Sequence, residues 1–219
     1  VQANMIHGGT AVNILAKDMG CDLVSANITD KAGKLIFKDR VIRTVGGIKV
    51  GVTGVTAGTL FETVSTSENA GKGVFEFKDV FETLKPIVAD LKKQTSAVVV
   101  LAHVGPGDAR RLAEEIPGID VVVTGHNPGY LFNPDRVGET LIIRGGNRGQ
   151  YASKLTLTFD AKKAIADYKG QVDPLNEGVA IDPAISAEVT KFQDGITTEQ
   201  AKANREKAMK SENSTGGDK

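Results

Sequence analysis

The sequence predicts an α/β fold whose centre is a parallel sheet. Three observations carry that prediction. AVVVL (97–101) and IDVVV (119–123) are valine-rich runs of strand length, and one short helical segment separates them. Short apolar runs of this kind read as strands buried on both faces. IKVGVTGVT (48–56) is a third such run, and a stretch with apolar residues at helical spacing follows it. Finally, KLTLTFD and IADYKGQV alternate apolar and polar residues, as half-buried antiparallel strands do. Strand–helix–strand units in a parallel sheet cross over right-handed, and ligands of such sheets sit at the carboxyl ends of the strands.

In chain order, Thr10 caps a helix to about Met19, with Ala11, Ile14, Leu15 and Met19 on one face and Gly20 ending it. CDLVSANI (21–28) reads as a strand and TDKAGK as a polar turn. LIF and DRVIRTV read as extended, and Gly46-Gly47 as the hairpin turn into 48–56. Residues 57–73 form a loop rich in Thr, Ser and Gly. A helix is expected from about Asp79 to Gln94, with Val80, Leu84, Ile87, Val88 and Leu91 as its apolar stripe. Pro86 lies inside that stripe and is expected to kink the helix or delay its start. Asp108 is the expected N-cap of ARRLAEEI. NPGYLFNPDRVGE reads as a long loop, TLIIRGG (140–146) as a strand, and AKKA as the turn of a hairpin. From about Asp182 the chain reads as helix, with Ile185, Val189 and Phe192 on one face, and SENSTGGDK reads as a disordered tail or linker.

Lys plus Arg equals Asp plus Glu, 27 each, so net charge gives no support for nucleic-acid binding. No apolar run is long enough for a bilayer span. The chain starts at Val1 without a signal-peptide pattern, which leads to the expectation of a processed or truncated chain. Cys21, the single cysteine, excludes an internal disulfide and a Cys-rich zinc site.

The candidate chemistry lies at two strand ends. AVVVL runs into His103, and IDVVV runs through Thr124 and Gly125 into His126. Neutral imidazoles at such an edge are natural metal ligands, although ordinary loop histidines give the same pattern. Arg144 and Arg148 flank GGN near this edge. They are candidate substrate-binding residues that clamp a phosphate, or else solvated surface arginines. Gly105-Pro106-Gly107 reads as a plain turn before a helix, with an anion site as the alternative. No phosphate-binding loop, dinucleotide fingerprint or nucleophile elbow occurs.

Taken in order, VSANI, GGIKVGVTGVT, VVVLAHVG, GIDVVVTGHNP and LIIRGGNRGQYASKLTLTFD resemble the calcineurin-like metallophosphoesterases, in their 5′-nucleotidase/UDP-sugar hydrolase branch. The resemblance covers about residues 10–172. It implies a four-layer α/β/β/α sandwich, incomplete at the N-terminus and followed here by a C-terminal helix. The expected division is a phosphoesterase-like domain over 1–175, a helical extension over 176–210 and a tail over 211–219. The implied chemistry is phosphate-ester hydrolysis at two divalent metals (Mn, Zn, Mg or Ca).

By motif position, His103 resembles the family's lone histidine ligand, and His126 the first histidine of Gly-His-x-His. Asn4 is the candidate for the asparagine ligand, or else a turn residue. The pattern departs in three places. Pro128 stands where the second ligand of the Gly-His-x-His motif belongs, Met5 stands where the catalytic histidine would follow Asn4, and the Asp-x-His and Gly-Asp motifs are absent. The first reading is therefore a degenerate or fragmentary phosphoesterase-like domain serving as a structural or interaction module of an exported multi-part protein. The alternative is a phosphoesterase whose missing ligands come from an N-terminal segment or a partner chain. The resemblance further implies a periplasmic or extracellular location, and it allows a haem-containing partner domain, although no C-x-x-C-H occurs in this chain.

Overall fold

A computed structural model gives the fold and describes residues 17, 20–58, 75–126, 129, 131–146 and 148–214. The expected helix at 10–19 (save Lys17), Asn4, Met5, most of the 57–73 loop, Pro128 and residues 215–219 lie outside the described residues. The fold is α/β, with a central sheet and a C-terminal helix. The chain divides into two compact units between Leu175 and Asn176.

The first unit is built on a six-stranded sheet. Its strands are β2 (Arg40–Val45), β3 (Ile48–Thr56), β5 (Ala97–His103), β6 (Val121–Thr124), β7 (Asp135–Val137) and β8 (Thr140–Arg144), in the spatial order β2-β3-β5-β6-β8-β7. The valine-rich runs form the parallel centre β3, β5, β6 and β8, and antiparallel β2 and β7 close the edges. Gly46 and Gly47 both have positive φ, 57° and 79°. That lets two residues join β2 to β3 with the twist a tight hairpin needs.

Helix α1 (Val80–Gln94) begins at Asp79, whose carboxylate accepts from the Glu82 amide at 2.8 Å. Its five predicted stripe residues are all buried. They pack on Val98 and Val100 of β5 in one apolar core that Leu112 of α2 (Pro106–Glu115) shares. Gly51 brings α1 close to β3, since a Cβ there would lie 2.9 Å from Leu91 Cδ2.

The other face of the sheet carries a two-stranded ribbon, β9 (Tyr151–Phe159) and β10 (Ile165–Pro174). Ser153 Oγ donates to the Arg144 carbonyl at 3.1 Å, and Lys163 Nζ donates to the Gly47 carbonyl at 3.0 Å. Ile143, on the sheet face away from the helices, lines a small cleft with Ser153, Gly170 and Val172. Leu101 points to the same face and is 44% exposed, so the ribbon leaves part of that apolar face uncovered.

Several sequence expectations are corrected. CDLVSANI is not one ladder strand. Among the described residues only Ile28 falls in a named strand, β1 (Ile28–Thr29), which pairs with β4 (Glu76–Phe77); Val24 makes an isolated bridge with Lys38, and residues 23–27 spend their backbone groups on Lys38, Gly54 and Lys78. Asp108 is not the N-cap of α2. Gly105 holds that place with Pro106 just inside, where proline's missing N–H is not needed, and Asp108 falls in the first turn. Pro86 does not delay α1, which runs through it. The carbonyl the ring leaves unbonded is that of exposed Glu82. DRV is strand β7 rather than loop, because Gly138-Glu139 turns it back onto β8.

The second unit contains α3 (Pro183–Ser214), so SENS is helical rather than tail. Ile185, Val189 and Phe192 form the predicted stripe and are all exposed.

Candidate metal centre

Both histidines stand where parallel strands end. His103 is the last residue of β5, opposite Thr56 of β3, and its carbonyl accepts from the Ala57 amide at 3.1 Å. His126 lies two residues past β6, on a loop that the Gly125 amide ties to the Ala102 carbonyl at 3.2 Å. The two rings meet edge to face, with centroids 5.0 Å apart and planes at 73°. His126 Nδ1 lies 3.3 Å from His103 Nε2.

That separation decides what the pair can do. Without a metal it suits an N–H···N hydrogen bond between neutral imidazoles. It also suits two ligands of one ion, since nitrogens about 2.1 Å from a common metal at right or tetrahedral angles lie roughly 3.0–3.4 Å apart. The donor chemistry fits in part. Among the described residues no group of three or more His, Cys, Asp or Glu side chains gathers here, so the pair would fill only two positions of an ion.

His103 is half-buried and His126 is exposed. Burial first, and then the charge of His126, hold the His103 imidazole below its ordinary pKa of 6.5. The ring is therefore neutral at physiological pH, as a ligand must be. The sign of the pH effect follows. Above the unfolded value the ring is neutral in both states and adds nothing to the pH dependence of stability. As pH falls, the unfolded chain takes up the proton first, so stability falls until the pH has passed through the folded pKa. The metal-free protein should hold a constant melting temperature near neutrality and lose it on acidification below about pH 6.5. A melting series across that range on wild type and His103→Gln checks this. A substituted protein with the same acid limb as wild type would refute it.

Arg144 ends β8 in register with Thr124, which is in register with Ala102, so it shares the edge with both histidines. Its Nε donates to Thr124 Oγ1 at 3.3 Å. Arg148 is exposed, with a positive φ of 54°. Thr124 and Gly129 are neighbours of the site that the sequence reading passed over. The available signals were a threonine closing a valine strand and a glycine three residues beyond His126, inside the loop.

Comparison with known proteins gives a consistent set of relatives. The chain is 28% identical over 206 residues to the 5′-nucleotidase of Bos taurus, covering 83% of this chain and 35% of that protein. It is 24% identical over 163 residues to the trifunctional nucleotide phosphoesterase protein YfkN of Bacillus subtilis, covering 71% and 11%. Among solved structures, the sulfate thiohydrolase SoxB of Thermus thermophilus matches with a TM-score of 0.72 at 28% identity, covering 84% of this chain and 35% of that one. A 5′-nucleotidase precursor, also of Thermus thermophilus, matches with a TM-score of 0.68 at 25% identity, covering 83% and 39%. No protein-family model matches. The chain spans about a third of the length of the 5′-nucleotidase it matches.

Proposed function

We propose that this chain, a homologue of the 5′-nucleotidases and of the calcineurin-like phosphoesterase YfkN, supplies two ligands of a divalent-metal centre that hydrolyses phosphate esters, the remaining ligands coming from another segment or chain. The observation that carries this reading is the 3.3 Å approach of His126 Nδ1 to His103 Nε2 at the carboxyl ends of two parallel strands. Two neutral imidazole nitrogens at that separation can share one ion. A divalent ion held there would withdraw charge from phosphoryl oxygens and lower the pKa of a bound water. His103 and His126 would hold the ion through neutral nitrogens, and Arg144 is the cationic side chain on the same edge. The partly uncovered sheet face at Leu101 supports a further segment packing against this unit. Asn4 and Arg148 remain candidates for ligand and substrate contact. Export to a periplasmic or extracellular location fits the reading, and no helix among the described residues is long and apolar enough to cross a membrane.

The likeness to SoxB favours a second substrate reading, in which the tetrahedral oxyanion is a thio-linked sulfate. Phosphate and sulfate esters ask for the same oxyanion contacts, so one assay separates them. The complete assembly, loaded with Mn²⁺ or Zn²⁺, is given a generic phosphate monoester and an S-sulfonated thiol. Hydrolysis of the phosphate ester that disappears in His103→Ala is expected. Turnover of the sulfonated thiol alone selects the second reading. No turnover with any divalent metal leaves the structural or interaction module as the function.

A further inference from the structure

We infer that Arg144 is the positioning residue of the His126 loop: it holds both feet of the loop and lies under its middle, and so sets the distance between the two imidazoles. The chain leaves the sheet at the end of β6 and is back beside β8 at Leu131. At the near foot, the Arg144 guanidinium donates through Nε to Thr124 Oγ1 at 3.3 Å. At the far foot, the Leu131 amide donates to the Arg144 carbonyl at 3.3 Å, and that carbonyl also accepts from Ser153 Oγ at 3.1 Å. Between the feet, Gly129 passes so close over the guanidinium that a Cβ there would lie 3.3 Å from Arg144 Nη1.

The side chain is half-buried, and no carboxylate among the described residues forms an ion pair with it. Ion pairing therefore does not account for its position, whereas support of the loop does. His126 itself is exposed, and its ring meets that of His103 edge to face. Its place is set by the loop that carries it. Lysine cannot substitute, because a single ammonium lacks the planar fork that reaches Thr124 with one nitrogen and underlies Gly129 with another. Outer supports of metal ligands typically carry a tenfold to hundredfold share of metal affinity.

The inference rests on the metal reading only for its functional consequence, and the test separates the two. In the full chain without metal, nuclear Overhauser contacts between the ring protons of His103 and His126 are compared in wild type, Arg144→Met, Arg144→Lys and Thr124→Val. The same proteins are then titrated with Co²⁺, followed by absorption and calorimetry. Contacts present in wild type and lost in both Arg144 variants, with unchanged melting temperatures, are expected. So is a roughly tenfold weaker Co²⁺ affinity in both. Thr124→Val, which removes the near-foot bond but leaves the guanidinium beneath Gly129, should lie between them and wild type, since the Leu131 amide keeps its bond to the backbone carbonyl of residue 144 in every variant. If the Arg144 variants do not fold, Thr124→Val alone decides. Ring contacts and Co²⁺ affinity identical to wild type in the folded variants would overturn the inference. Ring contacts that depend on Arg144 in a chain that binds no Co²⁺ would uphold it while removing the metal reading.

Discussion

Replacing Asn27 with leucine is expected to cost about 3–4 kcal/mol of folding stability, although the side chains are similar in size and the site is fully buried. The reason is the number of backbone groups that Asn27 serves. Its Nδ2 donates to the Thr56 carbonyl at 2.7 Å and to the Lys78 carbonyl at 3.0 Å, while its Oδ1 accepts from the Thr56 amide at 3.0 Å. Its own carbonyl accepts from the Lys78 amide at 2.9 Å. One side chain thus joins the end of β3 to the strand that precedes α1. Leucine leaves three backbone groups without partners, and each unmade bond in a buried place costs about 1–3 kcal/mol, less where water can reach it. The neighbours provide a control. Ser25 Oγ and Thr29 Oγ1 are buried with no hydrogen-bond partner among the described residues, so Ser25→Ala and Thr29→Val should leave stability equal or higher. Urea unfolding of the three variants checks the contrast. A loss under about 1 kcal/mol in Asn27→Leu would show that water takes over these bonds.

The same residue explains what the sequence made legible and what it hid. β3, β5, β6 and β8 were legible because valine-rich runs of strand length leave few alternatives. α1 was legible because five apolar residues fall on one face behind an aspartate cap. The segment at 21–28 misled because it is apolar like a strand, yet its backbone bonds go to three separate partners. An asparagine, a poor strand former, inside that apolar run was the available warning. At the site, each histidine was legible separately as a residue following a valine strand. Their contact was not, since it joins the end of β5 to the loop that follows β6, two places 23 residues apart in the chain. Arg144 was noticed for its charge, whereas its backbone carbonyl and its place beneath Gly129 carry as much of the structural argument.

Gly54→Ala is expected to destabilise the protein by about 3 kcal/mol, at the upper end of what an added methyl group costs in a packed interior. A Cβ at this position would lie 2.6 Å from the Val24 carbonyl oxygen and 3.5 Å from that of Leu101. Both are backbone atoms of other segments, so no flexible side-chain end can turn away. The methyl group must push residues 24–27 off the sheet, against the 2.7 Å hydrogen bond from the Ala26 amide to the Gly54 carbonyl. Asn27 pegs that same segment one residue further on, so the two substitutions damage one joint. Once the segment has lifted, the second change has less to break. The double variant should therefore lose less than the sum of the two single losses, by more than about 0.5 kcal/mol. Denaturant unfolding of the four proteins in the cycle measures this directly. Additive losses would mean that the close approach at Gly54 and the bonds of Asn27 act independently. The consequence reaches the histidine edge, because Thr56 pairs with His103 and the Ala57 amide donates to the His103 carbonyl. A joint that fails at Gly54 loosens the strand end beside one of the two candidate ligands.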